Sequence, residues 1–198
     1  GSYNNVSMVA KERLEEYTDA KITVIDSLNV SLAESLMVIR ANALKDKGNS
    51  YEEVVESIEE FKHHINVQFT VDDLFHLQRG GRISKTSAIV GSALNLKPLL
   101  YISAAGTLST AGTVRGRKKS LHALVEKMKA TLEENTDYSL PVGIVHGNCL
   151  EDAQVVAELV KEQTQFQDII INDISPSIGT HAGPGALGIL YYGQPRKE

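Results

Sequence analysis

Residues 71–119 read VDDLFHLQRGGRISKTSAIVGSALNLKPLLYISAAGTLSTAGTVRGRKK, and this stretch predicts a β-hairpin around which the rest is arranged. Residues 97–102 form a predicted strand with Pro98 at its start, where a strand tolerates proline. A turn at Ala104, Ala105 and Gly106 follows, and residues 108–114 return as the partner strand. Two such runs joined by a short glycine-containing turn are typical of a hairpin.

A short helix precedes the hairpin and ends at a pair of glycines. It begins at Asp72 or Asp73 and stops at Gly80-Gly81, where paired glycines permit positive φ and a close backbone approach. Arg82 follows directly and is therefore held on a tight corner. Residues 86–94 form a further predicted helix, whose small side chains leave room for another helix or for a long apolar ligand.

The hairpin stretch is also free of acidic residues. Residues 74–125 contain no Asp or Glu, although the 198-residue chain has 25 of them and a net charge of −5. An acidic protein that keeps carboxylates out of about a quarter of its length keeps that region attractive to anions. Residues 174–197 form a second acid-free stretch, and we expect the functional site where the two stretches meet. The first stretch carries the basic residues Arg79, Arg82, Lys85, Lys97, Arg115, Arg117, Lys118 and Lys119.

The first 64 residues are mainly helical by pattern. Residues 4–17 follow a helical period, and two further helices start at Ser31 and Ser50, each with a glutamate three residues on as a capping-box partner. The only clear strand is residues 21–25, and a single strand needs neighbours to form a sheet. We therefore expect the partner strands in an N-terminal segment that this sequence lacks.

Strands and helices alternate through the rest of the chain, which predicts an α/β class with a mixed sheet. The predicted strands are residues 67–71, 141–146, 168–174 and 187–192, and the predicted helices are residues 117–135 and 151–163.

The composition excludes several classes of function. A hydrophobic content of 42% with 23% charged residues is that of an ordinary globular protein. The net negative charge argues against general nucleic-acid binding, which favours a basic domain. Cys149 is the only cysteine, so no disulfide can form within the chain, and this suits the cytosol. No apolar run approaches the roughly 18 residues of a membrane span.

His181 is the strongest single candidate for a ligand contact. It stands among glycines at 179, 183 and 185, so we predict that it lies on a loop positioned by the backbone, where it is well placed to bind an anion. The other histidines show no metal-ligand spacing, and the acid-free region disfavours catalysis by paired carboxylates. Two readings remain open here: an anion-binding protein, or an enzyme that uses His181 as acid or base on a small anion.

Three stretches together resemble the DegV family of fatty-acid-binding proteins. They are FTVDDLFHLQRGGRIS at residues 69–84, GSALNLKPLLYISAAGTLSTAGTVRGRKK at 91–119 and IGTHAGPGALGILYYG at 178–193. The opening GSYNN resembles the end of the family's Ser-Gly-Thr-Tyr loop, with Ser2 where threonine is usual. The sequence departs from the family at residues 31–35, where the family tends to carry glycines.

The resemblance implies a two-lobed fold with a long-chain fatty acid between the lobes. Residues 1–66 would be the remainder of an N-terminal α/β lobe, and residues 67–198 a C-terminal lobe with helices and a mostly antiparallel sheet. It further implies a bound fatty acid as ligand, with no other cofactor, no metal and no catalytic residue. The implied head-group residues are Arg82, His181, Ser2 and Thr180, and those expected along the acyl tunnel are Ile89, Ala93 and Leu94.

The resemblance also implies a partner. Bacterial members of the family present the fatty acid to a separate fatty acid kinase, which makes acyl phosphate for phospholipid synthesis in the cytoplasm. Arg115, Arg117 and Lys118 look like the partner-facing surface. Basic side chains at the start of a helix oppose the helix dipole, so stability does not explain them. A regulator or scaffold that binds lipid is the alternative of a different class.

Overall fold

The computed structural model describes residues 1–83 and 95–197. The strands of this described part are β1 (Ile65–Thr70), β2 (Leu96–Ile102), β3 (Leu108–Arg115), β4 (Val142–His146), β5 (Ile169–Asp173) and β6 (Leu187–Tyr192). They form one sheet in the order β3-β2-β1-β6-β4-β5. Only the β4–β5 pair is parallel among the described strands, so the sheet is mixed and mostly antiparallel, as predicted.

Helices cover both faces of this sheet. Those in the described residues are α1 (Ser2–Glu16), α2 (Leu32–Asp46), α3 (Tyr51–Phe61), α4 (Leu74–Arg79), α5 (Arg117–Lys129), α6 (Leu150–Gln163) and α7 (Pro176–Ala182), with a 3-10 turn at Lys62–His64. Successive residues of a strand point to opposite faces. Accordingly Ile189 is buried in a core with α5 and α6, whereas Leu190 is buried in a second core with α2 and α3. The mixed α/β class is therefore confirmed.

A third, smaller core joins α4 to α7. It contains Val71, Leu74 and Leu77 from the segment around α4, and Ala182 and Ala186 from the segment around α7. This core lies at the end of β1, so the two short helices are held over one edge of the central strands. Their position brings together the two acid-free stretches of the sequence.

The hairpin prediction is confirmed in detail. Strands β2 and β3 pair antiparallel from Leu96 opposite Arg115 to Ile102 opposite Leu108, with a register shift between Leu99 and Leu100. The turn is closed by the backbone bond from Ser103 N–H to Thr107 O at 2.8 Å. Strand β2 of the hairpin lies next to β1, and β3 is one of the two edge strands of the described sheet.

The N-terminal predictions are confirmed in part. Helix α1 forms as predicted, although none of its described residues is buried. Residues 21–25, all of which the structure describes, form no strand, so that prediction is wrong. The physical reason is that a strand exists only when a neighbour satisfies its backbone N–H and C=O groups, and no described strand lies beside this segment. No described helix is both long and apolar enough to cross a membrane.

The two predicted capping boxes have different outcomes. Ser50 and Glu53 form a complete box, with Ser50 N–H donating to the Glu53 carboxylate at 2.7 Å. Ser31 makes no cap bond and has a φ of 61°, and the carboxylate of Glu34 accepts from Ser27 Oγ at 2.9 Å instead. The capping box at Ser31 was therefore a wrong prediction.

The predicted division into two lobes stays a prediction. The boundary between residues 66 and 67 falls inside β1, which spans Ile65–Thr70. Helices α2 and α3 from the first part pack on the same sheet as the second part.

Candidate ligand-binding site

A cavity of about 860 Å³ opens above the central strands. Its walls come from β1, β4 and β6, from the turn of the β2–β3 hairpin, from α4 and α7, and from the loop before α2. Most of the lining is aliphatic or aromatic, a composition typical of sites that bind apolar small molecules. The apolar lining residues are Val30, Val67, Phe69, Leu77, Ile102, Leu108, Val145, Ile174, Ile178, Ala182, Ala186, Leu187 and Leu190.

A small set of polar side chains lines the same cavity. Three of the four predicted head-group residues, Ser2, Arg82 and His181, are among them. Thr180 is not, because its side chain is exposed and its hydroxyl donates to Pro176 O at 2.8 Å within α7. The structure adds three hydroxyls that the sequence analysis did not select, those of Ser31, Thr107 and Ser177.

Gly80 brings Arg82 and His181 together. Arg82 Nη1 donates to the carbonyl oxygen of Gly80 at 2.5 Å. On the other side of the same residue, a Cβ placed on Gly80 would overlap Nδ1 of His181 and lie 3.1 Å from its Cγ. The imidazole therefore lies directly against the Gly80 Cα, and only glycine permits this approach. The backbone of Gly80 is αR, with φ −75°, whereas Gly81 has the predicted positive φ of 72°.

His181 lies in the last turn of α7, not on a loop, which corrects the prediction. Pro176 starts the helix at a position where its fixed φ suits the first turn. Nδ1 of His181 is buried and has no hydrogen-bond partner within residues 1–83 and 95–197. A buried polar atom without a partner is unusual, and an imidazole nitrogen can donate or accept depending on the tautomer.

The two short helices hold each other by a reciprocal contact. His181 of α7 lies against Gly80 at the end of α4. In the same way, His76 of α4 lies against Gly183 at the end of α7. A Cβ on Gly183 would be 2.5 Å from Cδ2 of His76. The geometry of the Arg82–His181 end of the cavity thus depends on two histidine–glycine contacts.

Two of the basic residues in the acid-free stretch form ion pairs with carboxylates that are far from them in the sequence. Lys97 is buried and donates to Asp72 Oδ1 at 2.5 Å and to Asp72 O at 2.8 Å. Arg117 Nε lies 2.7 Å from Asp152 Oδ2. The interpretation that the whole stretch is open to anions is therefore wrong for these two residues.

The other basic residues at the end of β3 and in the first turn of α5 are exposed. Arg115, Lys118 and Lys119 belong to this group. None of them lines the cavity, and Arg115 stands at the far end of β3 from Leu108, which does line it. At roughly 3.3 Å per strand residue, the two ends of β3 are about 20 Å apart. The structure thus keeps the predicted partner surface apart from the cavity.

The predicted tunnel residues Ile89, Ala93 and Leu94 lie outside the described residues, as do Ser84 and Lys85. Within residues 1–83 and 95–197, no group of His, Cys, Asp and Glu side chains is placed to hold a metal ion.

The structure is that of an α/β protein with a mainly apolar cavity whose lining includes an arginine and a histidine. The chain belongs to the DegV family, because the family profile, described as an uncharacterised protein of the DegV family, matches residues 1–194. A DegV domain-containing protein of Clostridium perfringens is 38% identical over 197 residues, which cover 100% of this chain and 67% of that protein. The chain thus spans about two thirds of the length of this relative.

Two solved structures are also similar to this chain. A DegV family protein of Ruminococcus gnavus, refined with vaccenic acid, has a TM-score of 0.86 and 30% identity, and the match covers 96% of this chain and 67% of that one. The Fatty Acid Kinase (Fak) B3 protein of Streptococcus pneumoniae, loaded with linoleic acid, also has a TM-score of 0.86 and 30% identity, with 97% and 67% covered.

Proposed function

We propose that the protein binds a long-chain fatty acid in the cavity, with the carboxylate at the Arg82–His181 end. The observation that carries this proposal is the cavity itself, whose mainly apolar lining includes Arg82 and His181, which meet at Gly80. Nδ1 of His181 is buried and has no hydrogen-bond partner in the part of the chain that the structure describes. The fatty acids held by the two solved relatives support the same ligand class. Ser2 and Thr107 offer further hydroxyls, and Ile89, Ala93 and Leu94 stay proposed for the tail of the ligand.

The acyl chain and the carboxylate of the ligand contribute to binding in different ways. Each buried CH₂ group contributes about 0.8 kcal/mol, so a long acyl chain supplies most of the affinity. The carboxylate loses its hydration on entry and must regain hydrogen bonds, each worth about 1.5–3 kcal/mol when one partner is charged. We infer that Arg82 and His181 fix the direction of the chain by offering the donors that its head group needs.

Purified protein is expected to carry a fatty acid, and His181→Ala is expected to weaken its binding. Loss of one hydrogen bond to the carboxylate lowers affinity by about 10- to 100-fold. Organic extraction with mass spectrometry measures the bound lipid, and titration of the delipidated protein with oleate measures the affinity. His122→Ala is the matched control, because His122 is exposed on α5 and does not line the cavity.

Absence of lipid after extraction, together with no uptake of added oleate, would overturn the proposal. Unchanged oleate affinity in His181→Ala would remove His181 from the head-group site.

We further propose that the protein is a binding subunit in the cytoplasm and that a separate fatty acid kinase forms the acyl phosphate. The likeness to the Fak B3 protein supports this partner. The exposed Arg115 and Lys118 are proposed to meet an acidic surface of the kinase, and Arg117 to support them through its ion pair with Asp152.

Arg115→Ala combined with Lys118→Ala is expected to slow acyl-phosphate formation by the kinase about tenfold at low salt while oleate affinity stays unchanged. The reason is that exposed charges act mainly on association rates, and salt screens them. The assay measures acyl phosphate with added kinase and ATP at two salt concentrations. Lys45→Ala combined with Lys47→Ala, an equal change of exposed charge at the end of α2, serves as the control.

Equal rates in both double variants would leave Arg115 and Lys118 as ordinary solvated charges. If lipid is held but no kinase uses it, the alternative of a lipid-binding regulator replaces the proposed role.

A further inference from the structure

The carbonyl oxygen of Leu28 is held by two segments that are distant in sequence. Arg196 Nη1 donates to Leu28 O at 2.8 Å. Gly106, in the hairpin turn, approaches so closely that a Cβ there would lie 3.2 Å from both Cα and O of Leu28. The loop of residues 26–31 is therefore fixed against the hairpin turn and the C-terminal segment at one point.

The C-terminal segment also holds the hairpin turn. The carbonyl oxygen of Lys197 accepts from Ala104 N–H at 2.8 Å, and Arg196 N–H donates to His63 O at 2.9 Å. Residues 196–197 thus connect the loop before α2 with the turn between β2 and β3. Both connected segments line the cavity, the first through Val30 and Ser31 and the second through Gly106 and Thr107.

Global stability does not account for the position of Arg196. Its residue is 7% exposed, and its Nε and Nη2 have no hydrogen-bond partner within the described part of the chain. Desolvation lowers the pKa of the guanidinium below its ordinary value. A buried cation with few acceptors is costly, and replacing such a group by an apolar side chain is often neutral or stabilising.

The loop that Arg196 holds is itself strained. Leu28 and Ser31 have φ values of 50° and 61°, which residues other than glycine rarely adopt. Such conformations persist only where the surroundings over-determine them. Among the described residues, the hydrogen bond from Arg196 and the contact with Gly106 both constrain Leu28 from outside its own loop.

We propose that Arg196 is a positioning residue for the ligand cavity, which holds the loop of residues 26–31 closed over the bound fatty acid and so sets the rate of release. This inference rests on the proposed function. Arg196 itself does not line the cavity and acts through the backbone of Leu28, Val30 and Ser31.

The test compares Arg196→Met with the unchanged chain by hydrogen exchange and by ligand release. In Arg196→Met, exchange at the amides of residues 28–31 and release of bound cis-parinaric acid are each expected to be about tenfold faster, as the loss of one charge-assisted hydrogen bond implies. The unfolding midpoint and the exchange protection of Val142–His146 are expected to stay the same. Arg196→Lys, which keeps a donor, is expected to recover part of the slow release.

Lys197→Ala is the matched control, because Lys197 holds Ala104 through its backbone carbonyl and its side chain is exposed. It is expected to behave as the unchanged chain. Unaltered release and exchange in Arg196→Met would overturn the proposal, and so would an equal loss of protection in Val142–His146, because that result indicates a merely structural role. If the unchanged chain takes up no fatty acid at all, the proposed function fails first and this inference with it.

Discussion

Replacing Gly80 with alanine is expected to reduce fatty-acid affinity by about 100-fold or more, since it disturbs both proposed head-group residues, for each of which one hydrogen bond to a carboxylate would be worth about 1.5–3 kcal/mol. The new Cβ would overlap Nδ1 of His181 and press on its Cγ and Cβ, so rotation of the ring alone does not relieve the contact. Either α4 or α7 must move, and the acceptor of Arg82 moves with Gly80. Alanine otherwise suits this αR backbone and is favoured there by about 1 kcal/mol, so the overlap alone makes the change harmful.

Gly81→Ala is the matched control for this prediction. A Cβ at Gly81 meets open space, but its φ of 72° makes alanine strained. We therefore expect Gly81→Ala to lose about 1 kcal/mol of folding stability while it keeps its affinity for oleate. Chemical denaturation and oleate titration of both variants separate the two effects. Equal affinity in Gly80→Ala and Gly81→Ala would contradict the assigned contact with His181.

Replacing Lys97 with methionine is expected to lower the free energy of unfolding by about 2 kcal/mol, because the two hydrogen bonds from the buried ammonium group to Asp72 are lost. The side chain of Lys97 is 11% exposed, whereas that of Asp72 is 53% exposed. Since water reaches the remaining carboxylate, the loss should be smaller than the roughly 3–5 kcal/mol of a fully buried pair. Asp72 also packs against Gly185, so the segment after α7 should loosen as well.

Urea denaturation measures this loss, and Lys129→Met is the control. Lys129 pairs with Glu126 at 2.8 Å on the surface of α5, where the change should cost no more than about 0.5 kcal/mol. The double variant Lys97→Met with Asp72→Asn is expected to regain part of the stability, because no unpaired carboxylate remains. An equal loss in Lys97→Met and Lys129→Met would show that the Lys97–Asp72 pair contributes nothing beyond an ordinary surface pair.

The hairpin and the capped helix α3 could be predicted from the sequence because their signals are local. A turn glycine fixes the hairpin, and Ser50 with Glu53 satisfies the first turn of α3 within four residues. The strand at residues 21–25 could not be judged in this way, because strand formation depends on a neighbour. The helix around His181 had a local signal that the glycines obscured, namely Pro176 at its start.

The candidate site was predictable only in its charge pattern. The acid-free stretches led to Arg82 and His181, which the fold brings to one cavity. Sequence reasoning did not reveal that Asp72 neutralises Lys97 or that Asp152 neutralises Arg117, because these partners lie 25 and 35 residues away. Ser31, Thr107 and Ser177 were missed because the sequence does not tell which serine and threonine residues the fold brings to the cavity.

The order of strands in the sheet has a consequence for how the protein is made. β6 is the last described strand in the chain, yet it lies between β1 and β4. Until it has been synthesised, the earlier strands exist as two separate groups, one of β1, β2 and β3 and the other of β4 and β5. Such long-range pairing slows folding and exposes apolar strand edges in the meantime. Because Leu187, Gly188 and Leu190 of β6 line the cavity, the nascent chain cannot complete the cavity until β6 has been synthesised and has paired with β1 and β4.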